Sequence, residues 1–314
     1  MTTSPRADLG THDVHNQPPD QGDVDLWHSD PVLRETVARE GGQAEALAAY
    51  GKALGRAEMR EAGREANRWP PELRLFDRGG RRLDEVRFHP AYHRFMEAGV
   101  SAGYAALAWE GAAGGHVTHA AMVYLATQGE PGHCCPLTMT YAGAPVLAGA
   151  EGAAAGWHGK LLSRDYDPSI RPVGAKTGAT LGMAMTEKQG GSDVRANTTR
   201  AEADGGAWRL TGHKWFCSAP MSDGFLTLAQ APGGLTCFLV PRWLEGERNA
   251  IRIQRLKDKL GNRSNASAEI EYDRALAYQV GDEGRGVRTI IRMVHHTRLD
   301  TAMAPAGGSM WVEP

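Results

Sequence analysis

The stretch MTEKQGGSDV, residues 185–194, decides the reading of this chain. It closes the short apolar run LGMAM (181–185) and sets two glycines and a serine behind it. Glycine loses more backbone freedom on folding than any other residue, so a pair at a strand end marks a tight turn or a close backbone approach. Gly190-Gly191-Ser192 offers successive backbone N–H groups with no Cβ in front of them, plus a hydroxyl. Such a turn can be an anion nest for a phosphate or pyrophosphate. The same residues also make a plain hairpin turn, and spacing alone favours that. No GK[ST] follows, and GxGxxG is absent. About twenty residues downstream, GHKWFCS (212–218) places Trp215, Phe216 and Ser218 on one strand. Aromatics there are core residues or a face against which a flat ring can pack.

Working outward, the residues after about 180 are short runs bounded by turns at Gly205-Gly206, Asp223-Gly224 and Gly233-Gly234. In ASAEIEY the alternation is clean: Ala266, Ala268, Ile270 and Tyr272 face one way, Ser267, Glu269 and Glu271 the other. Strands at this spacing predict an antiparallel barrel or sandwich. Before about 165 apolar residues recur at three- and four-residue intervals, which predicts helices. The helical part opens at Ser29-Asp30-Pro31, a capping side chain followed by proline in the first turn. Trp69-Pro70-Pro71 and Pro131-Gly132 break it. Residues 1–28 read as an extended arm. After the strands, Val287, Ile290, Ile291 and Val294 form an apolar stripe on one more helix with no obvious surface to pack against, which predicts that its apolar side is exposed. The closing GGSMWVEP has no helical period.

The 314 residues suffice for about two domains. No apolar run approaches the roughly 20 residues of a membrane span, and the polar N-terminus lacks a signal-type apolar region. A cytoplasmic protein without membrane contact is expected. Cys134, Cys135, Cys217 and Cys237 have no CxxC spacing and read as reduced, mostly buried thiols. The net charge of −2 gives no bulk attraction to nucleic acid. Arg56, Arg60, Arg64 and Arg68 recur every four residues; Glu58, Glu61 and Glu65 among them make this a solvated helix face. His295-His296 beside Asp300 lacks further ligands, so no metal site is expected. Ser192, His213 and Asp223 lack the elbow motif of a nucleophilic triad.

GMAMTEKQGGSDV followed by GHKWFCS resembles the acyl-CoA dehydrogenase family. NQPP, RFHPAYH, CPLTMTYAGAP, RLKDKLGNRSNAS and DEGRGVRTII are similar to its adaptive-response, AidB-like branch, which is tied to DNA alkylation damage; the resemblance runs from about 13 to about 306. It implies an α+β fold. An N-terminal arm (1–28) and an all-α domain (29–180) precede an antiparallel β-barrel or sandwich domain (181–281). The first helix of a C-terminal α-bundle (282–314) follows, and the tail reads as truncated or frameshifted. It implies FAD as cofactor. Met183, Ala184, Met185 and Thr186 would line the flavin ring edge, largely through backbone groups, with Thr186 hydrogen-bonded to the ring. Gly191 and Ser192 would contact the pyrophosphate. Phe216, Cys217 and Ser218 would lie along the ring face, with Thr138 and Thr140 near the same pocket. Glu187 and Asp193 would structure the loop. Acyl-CoA is the implied substrate and a homo-oligomer, a tetramer in the family, the implied assembly. DNA binding belongs to the branch but is not expected of this chain at a net charge of −2; a non-catalytic DNA-associated protein of the alkylation-damage response and a non-functional truncated remnant are the alternative readings. The reaction needs a carboxylate base over the substrate α-carbon. One family position for it, just before an arginine, holds Thr297 here; the other lies downstream of these residues. No catalytic residue is therefore assigned, and turnover by this chain alone is not expected.

Overall fold

The computed structural model describes residues 6–18 and 21–310. In the arm, β1 (Asp8–Leu9) and β2 (His12–Asp13) pair as a two-residue ladder. The arm is not extended throughout. Leu26 and Trp27 are buried among the helices, and the Val24 carbonyl lies so close to Gly55 that any Cβ there would collide. Arg60 holds the same segment. It leaves the expected solvated stripe, is buried, and donates to the carbonyls of Gly55 and Gly22. Arg56 and Arg64 keep surface pairs with Glu58 and Glu61.

Helix α1 (Pro31–Arg39) starts where the capping pattern predicts. The Asp30 carboxylate accepts the Leu33 N–H at 2.8 Å, and Pro31 fills a position whose N–H has no helical partner. Helices α2 (Ala44–Leu54), α3 (Ala57–Arg68), α4 (Pro90–Ala102), α5 (Gly115–Gly129) and α6 (Cys134–Leu147) complete the helical layer around Leu47, Leu54, Phe95, Met122 and Leu125. One insertion departs from the helical reading of this region. Strands β3 (Glu72–Phe76) and β4 (Arg82–Arg87) form an antiparallel hairpin. Its turn is built by Asp77, whose carboxylate accepts the N–H groups of Gly79 and Arg81. The buried Asp84, in the left-handed region at φ 51°, accepts the Ile253 N–H at 2.7 Å and clips the hairpin to the β layer. A short helix, α7 (Trp157–Leu161), leads toward that layer.

The β layer contains β5 (Leu181–Ala184), β6 (Arg200–Asp204), β7 (Ala207–Ser218), β8 (Gly224–Ala231), β9 (Gly234–Pro241), β12 (Ile251–Leu256) and β13 (Ser267–Val280), with β10 (Trp243–Leu244) and β11 (Glu247–Arg248) as a separate small ladder. The ring β13–β7–β6–β8–β9 closes because β9 pairs both β8 and β13. Closure leaves no open edge in that ring. Strand β13 makes it possible. A register shift at Arg274, with φ 59°, lets this 14-residue strand leave β12 and pair with β9. Phe225, Val240, Ile253, Ile270 and Tyr272 fill the interior. The pairing is antiparallel except at β8, where β5 and β6 join in parallel.

Helix α8 (Gly286–Ser309) runs 24 residues, through Pro305 and the final glycine pair. It does not leave its apolar stripe exposed. Ile290 and Met293 are buried with Tyr141, Leu181 and Leu239 where α6 meets the sheet, Val294 is buried as well, and α8 also packs on α5. Gly307 lies against the Tyr124 carbonyl, where a Cβ would come within 2.2 Å. The helix finds its partner surface within this chain because the helical and β layers together form a trough. No helix among the described residues is long and apolar enough to cross a membrane.

Met293 is fully buried at this three-way junction. Met293→Ala should cost about 2–5 kcal/mol, as for other large-to-small changes in cores. A thermal melt checks this; an unchanged midpoint would mean that α8 is not part of the cooperative core.

Candidate functional site

The opening stretch forms a tight turn at the exit of β5. A bridge joins Glu187 and Gly190, and Gly190 takes φ +118°, which a side chain would disfavour. Gly191 lies against Thr186, where a Cβ would come within 2.7 Å of the threonine hydroxyl. The turn is anchored by Glu187, which is fully buried. One carboxylate oxygen accepts the N–H and hydroxyl of Thr198 at 2.7 and 2.9 Å. The other accepts the Thr199 N–H at 3.1 Å, the Thr199 hydroxyl at 2.6 Å and the Lys214 ammonium at 2.9 Å. Burial pushes the carboxyl pKa up, but Lys214 and the threonine donors outweigh it and hold the group at about 2. Burial pulls Lys214 down to about 8 despite its partner. Asp193 accepts the Arg195 N–H and shapes the end of the turn.

Beside this turn a cleft of about 610 Å³ opens between α6, α8 and strands β5 and β7. Met183, Met185, Thr186, Phe216 and Ser218 line it from the β side, Thr138 and Met139 from α6, and Thr297, Asp300 and Thr301 from α8. Phe216 is an exposed large apolar side chain, with Lys257 4.7 Å from its ring centroid. The Lys257 ammonium also lies 3.2 Å from the Trp215 ring centroid and 2.7 Å from Glu269.

The structure thus brings Met183, Met185, Thr186, Phe216, Ser218, Thr138 and Thr297 into one cleft. It separates three other residues from it. Cys217 is fully buried in the barrel interior, because successive strand residues face opposite ways and Phe216 and Ser218 take the cleft side. Ala184 is also buried, and its carbonyl already accepts the Thr227 hydroxyl at 2.5 Å. Thr140 turns away, donating to Pro136 and accepting the Leu181 N–H. Gly191 and Ser192 do not line the cleft, but Gly191 abuts Thr186, which does. His213 accepts the Lys188 N–H and Asp223 pairs with Lys176, so neither is free to serve a triad with Ser192.

Sequence reading missed a polar network on the α side of the cleft. Asp300 is buried; one oxygen accepts His119 Nε2–H at 2.8 Å and the other the Thr138 hydroxyl at 2.6 Å. His119 stacks on Tyr141 at 3.5 Å, and the Tyr141 hydroxyl contacts His116 and His296. A threonine and a histidine inside apolar helices were the available signal, but their partner lies 162 and 181 residues away in sequence. His296 sits in this aromatic cluster, and among the described residues no group of three or more His, Cys, Asp or Glu side chains is placed to hold a metal.

The residues fit a flavin ring in shape and polarity. The cleft volume lies within the usual range for ligand pockets, its walls are largely apolar, and an exposed aromatic side chain stands at its side. Lys214→Met should leave Glu187 buried without its counter-charge and cost about 3–5 kcal/mol, measured by denaturant unfolding. The acid side is equally testable. Because Glu187 is held at about 2 when folded, its contribution is complete above the ordinary carboxylate value and is lost as pH falls from there toward about 2. The stability gap between the parent chain and Glu187→Gln should therefore narrow across that window.

Comparison with known proteins agrees with this architecture. Residues 16–168 match the sequence model for the Adaptive response protein AidB N-terminal domain, and residues 182–275 match that for the acyl-CoA dehydrogenase middle domain. The chain is 51% identical over 300 residues to the AidB protein of Escherichia coli (strain K12), covering 93% of this chain and 56% of that one. It is 31% identical over 303 residues to acyl-CoA dehydrogenase family member 11 of Caenorhabditis elegans, covering 90% of this chain and 48% of the relative. The crystal structure of Caenorhabditis elegans ACDH-11 in complex with C11-CoA superposes with a TM-score of 0.81 at 29% identity, over 94% of this chain and 53% of that one. The chain therefore spans about half the length of these relatives. With both sequence models in order and the layers superposing, the chain belongs to the acyl-CoA dehydrogenase family, in its AidB branch.

Proposed function

We propose that this chain carries the flavin-binding cleft of an acyl-CoA dehydrogenase-like flavoprotein, binds FAD weakly and, by itself, turns over no acyl-CoA. When bound, flavin supplies a hydride acceptor. The chain's residues would do the rest. Phe216, Met183 and Met185 would cover the ring, Thr186 would hydrogen-bond its edge, and the backbone of Gly191 and Ser192 would approach the pyrophosphate. The C11-CoA bound by the Caenorhabditis elegans relative supports a fatty acyl thioester as the substrate class. A cytoplasmic setting belongs to the same proposal; all four cysteines are free thiols.

The observation that carries the absence of turnover is the acid–base inventory of the cleft. Thr297, the residue at the family's position for a base, lines the cleft, and its hydroxyl donates to the Val294 carbonyl. Among the described residues, the carboxylate lining the cleft is Asp300, and both of its oxygens are already held by His119 and Thr138. A carboxylate so engaged is poorly placed to accept an α-proton.

Visible spectra of the purified chain titrated with FAD test this reading. A weak, saturable perturbation of the flavin bands is expected, reduced about tenfold in affinity by Phe216→Ala. Anaerobic addition of a medium-chain acyl-CoA should leave the bound flavin oxidised. Sustained reduction of a dye with acyl-CoA would overturn the proposal, as would a chain with no saturable affinity for FAD. Thr297→Glu, which adds a carboxylate to the cleft, should permit partial bleaching of the flavin by acyl-CoA.

A further inference from the structure

A second cavity of about 460 Å³ lies between hairpin β3–β4, α4, the segment before β5, and the residues around Ser222 and Trp243. It shares no lining residue with the cleft described above. Its walls are aromatic. Phe88 stacks on Tyr92 at 4.3 Å, His93 meets both edge-on, and the Tyr166 hydroxyl hydrogen-bonds His93 Nδ1 at 2.7 Å. Burial lowers the His93 pKa, so the imidazole is neutral near pH 7 and part of an uncharged wall.

The charges around this cavity are not balanced by their partners. Three carboxylates line it, and each is already engaged. Glu85 takes Arg248 at 2.5 Å, Asp167 takes the Ser169 N–H at 2.9 Å and that of Thr177, and Asp223 takes the buried Lys176 at 2.6 Å and the Thr180 N–H at 2.8 Å. The guanidinium groups of Arg74 and Arg87, both exposed on the hairpin, have no carboxylate within ion-pair distance among the described residues. Deeper in, Ser222 is 3% exposed and its hydroxyl has no hydrogen-bond partner. An unpaired buried hydroxyl is costly, and a bound polar group is one way to satisfy it.

We propose that this cavity is a second ligand site, independent of the flavin cleft, for a small organic anion with a flat aromatic body. The anionic group sits at Arg74 and Arg87, where guanidinium forks match a carboxylate. The ring packs against Phe88, His93 and Tyr166, and a polar ring substituent reaches Ser222. The volume suits a molecule of one or two rings.

Calorimetric titration of the chain with sodium benzoate tests the assignment, with benzamide as the uncharged isostere and hexanoate as a carboxylate without a ring. Benzoate should bind saturably, with benzamide and hexanoate each about tenfold weaker or worse. The double variant Arg74→Ala/Arg87→Ala should weaken benzoate by a similar factor; because both side chains are exposed, the fold should persist, as its circular dichroism would show. Met183→Trp, which fills the flavin cleft, should leave benzoate affinity unchanged. Binding of benzamide or hexanoate as tight as that of benzoate overturns the proposal. So does indifference to the arginine pair, a loss of benzoate binding in Met183→Trp, or no saturable binding of any of the three.

Discussion

The buried carboxylate of Glu187 is the constraint on which the β-side of the cleft depends. Removing a carboxylate from water is expensive, and the cost is met here by five donors from Thr198, Thr199 and Lys214. Those donors lie on separate segments. The arrangement therefore joins the exit of β5, the entry to β6 and the middle of β7 in a single geometry. Lys214 is tied further to the Leu228 carbonyl of β8. Thr186, next to Glu187 in the chain, inherits its position, and its carbonyl accepts the Trp215 N–H at 2.7 Å. Phe216 follows Trp215 and so has little freedom to wander from the cleft. A network satisfied in this way is rigid because any displacement strands several buried donors at once.

The α-side of the cleft is fixed by different means. Helix α8 presents Asp300, Thr297 and Thr301 to the cleft, and it reaches that position by filling the trough between the helical layer and the barrel. A second link comes from Glu130, a buried carboxylate held at about 2; burial raises it, but His133, Ser264 and the Gly132 N–H bring it down. Its partners belong to the loop before α6 and to the loop that precedes β13. The hairpin β3–β4, clipped to β12 through Asp84, is a third. The two layers are thus joined by polar ties at their edges and by an apolar seam between them.

Much of this was legible from residue order. The capping pattern at Asp30-Pro31 gave the true start of α1, and the alternation from Ala266 to Tyr272 gave a barrel strand with its inward residues right. The turn at Gly190-Gly191 could be placed from its glycines, but residue order alone does not tell a phosphate-binding turn from an ordinary one. Other features were hidden for physical reasons. Strands β3 and β4 carry arginines and acids on half-exposed faces, so they lack the apolar alternation that marks a buried strand. Arg60 looked like its solvated neighbours because its partners are backbone carbonyls, one of them on a segment far off in sequence. Cys217 and Ala184 belong to contiguous motifs, but successive residues of β5 and of β7 face opposite ways, so these two side chains enter the barrel interior and not the cleft. Asp300 and His119 meet only when α8 docks on α5, and no local pattern announces such a pair.

The seating of α8 also bears on how the molecule comes apart. At about 1.5 Å per residue the helix is roughly 36 Å long; its first half buries Ile290 and Met293 in the sheet seam, and its second half sets Asp300 and Gly307 against α5 in the helical layer. Neither layer can shed it without exposing apolar surface belonging to the other. The helical layer and the barrel, although they carry distinct sequence signatures, are therefore thermodynamically a single unit, and loosening one lowers the free energy of opening the other. A ligand held between α6, α8 and β5 would be felt across the whole chain as added resistance to unfolding, in proportion to the logarithm of its concentration relative to its dissociation constant.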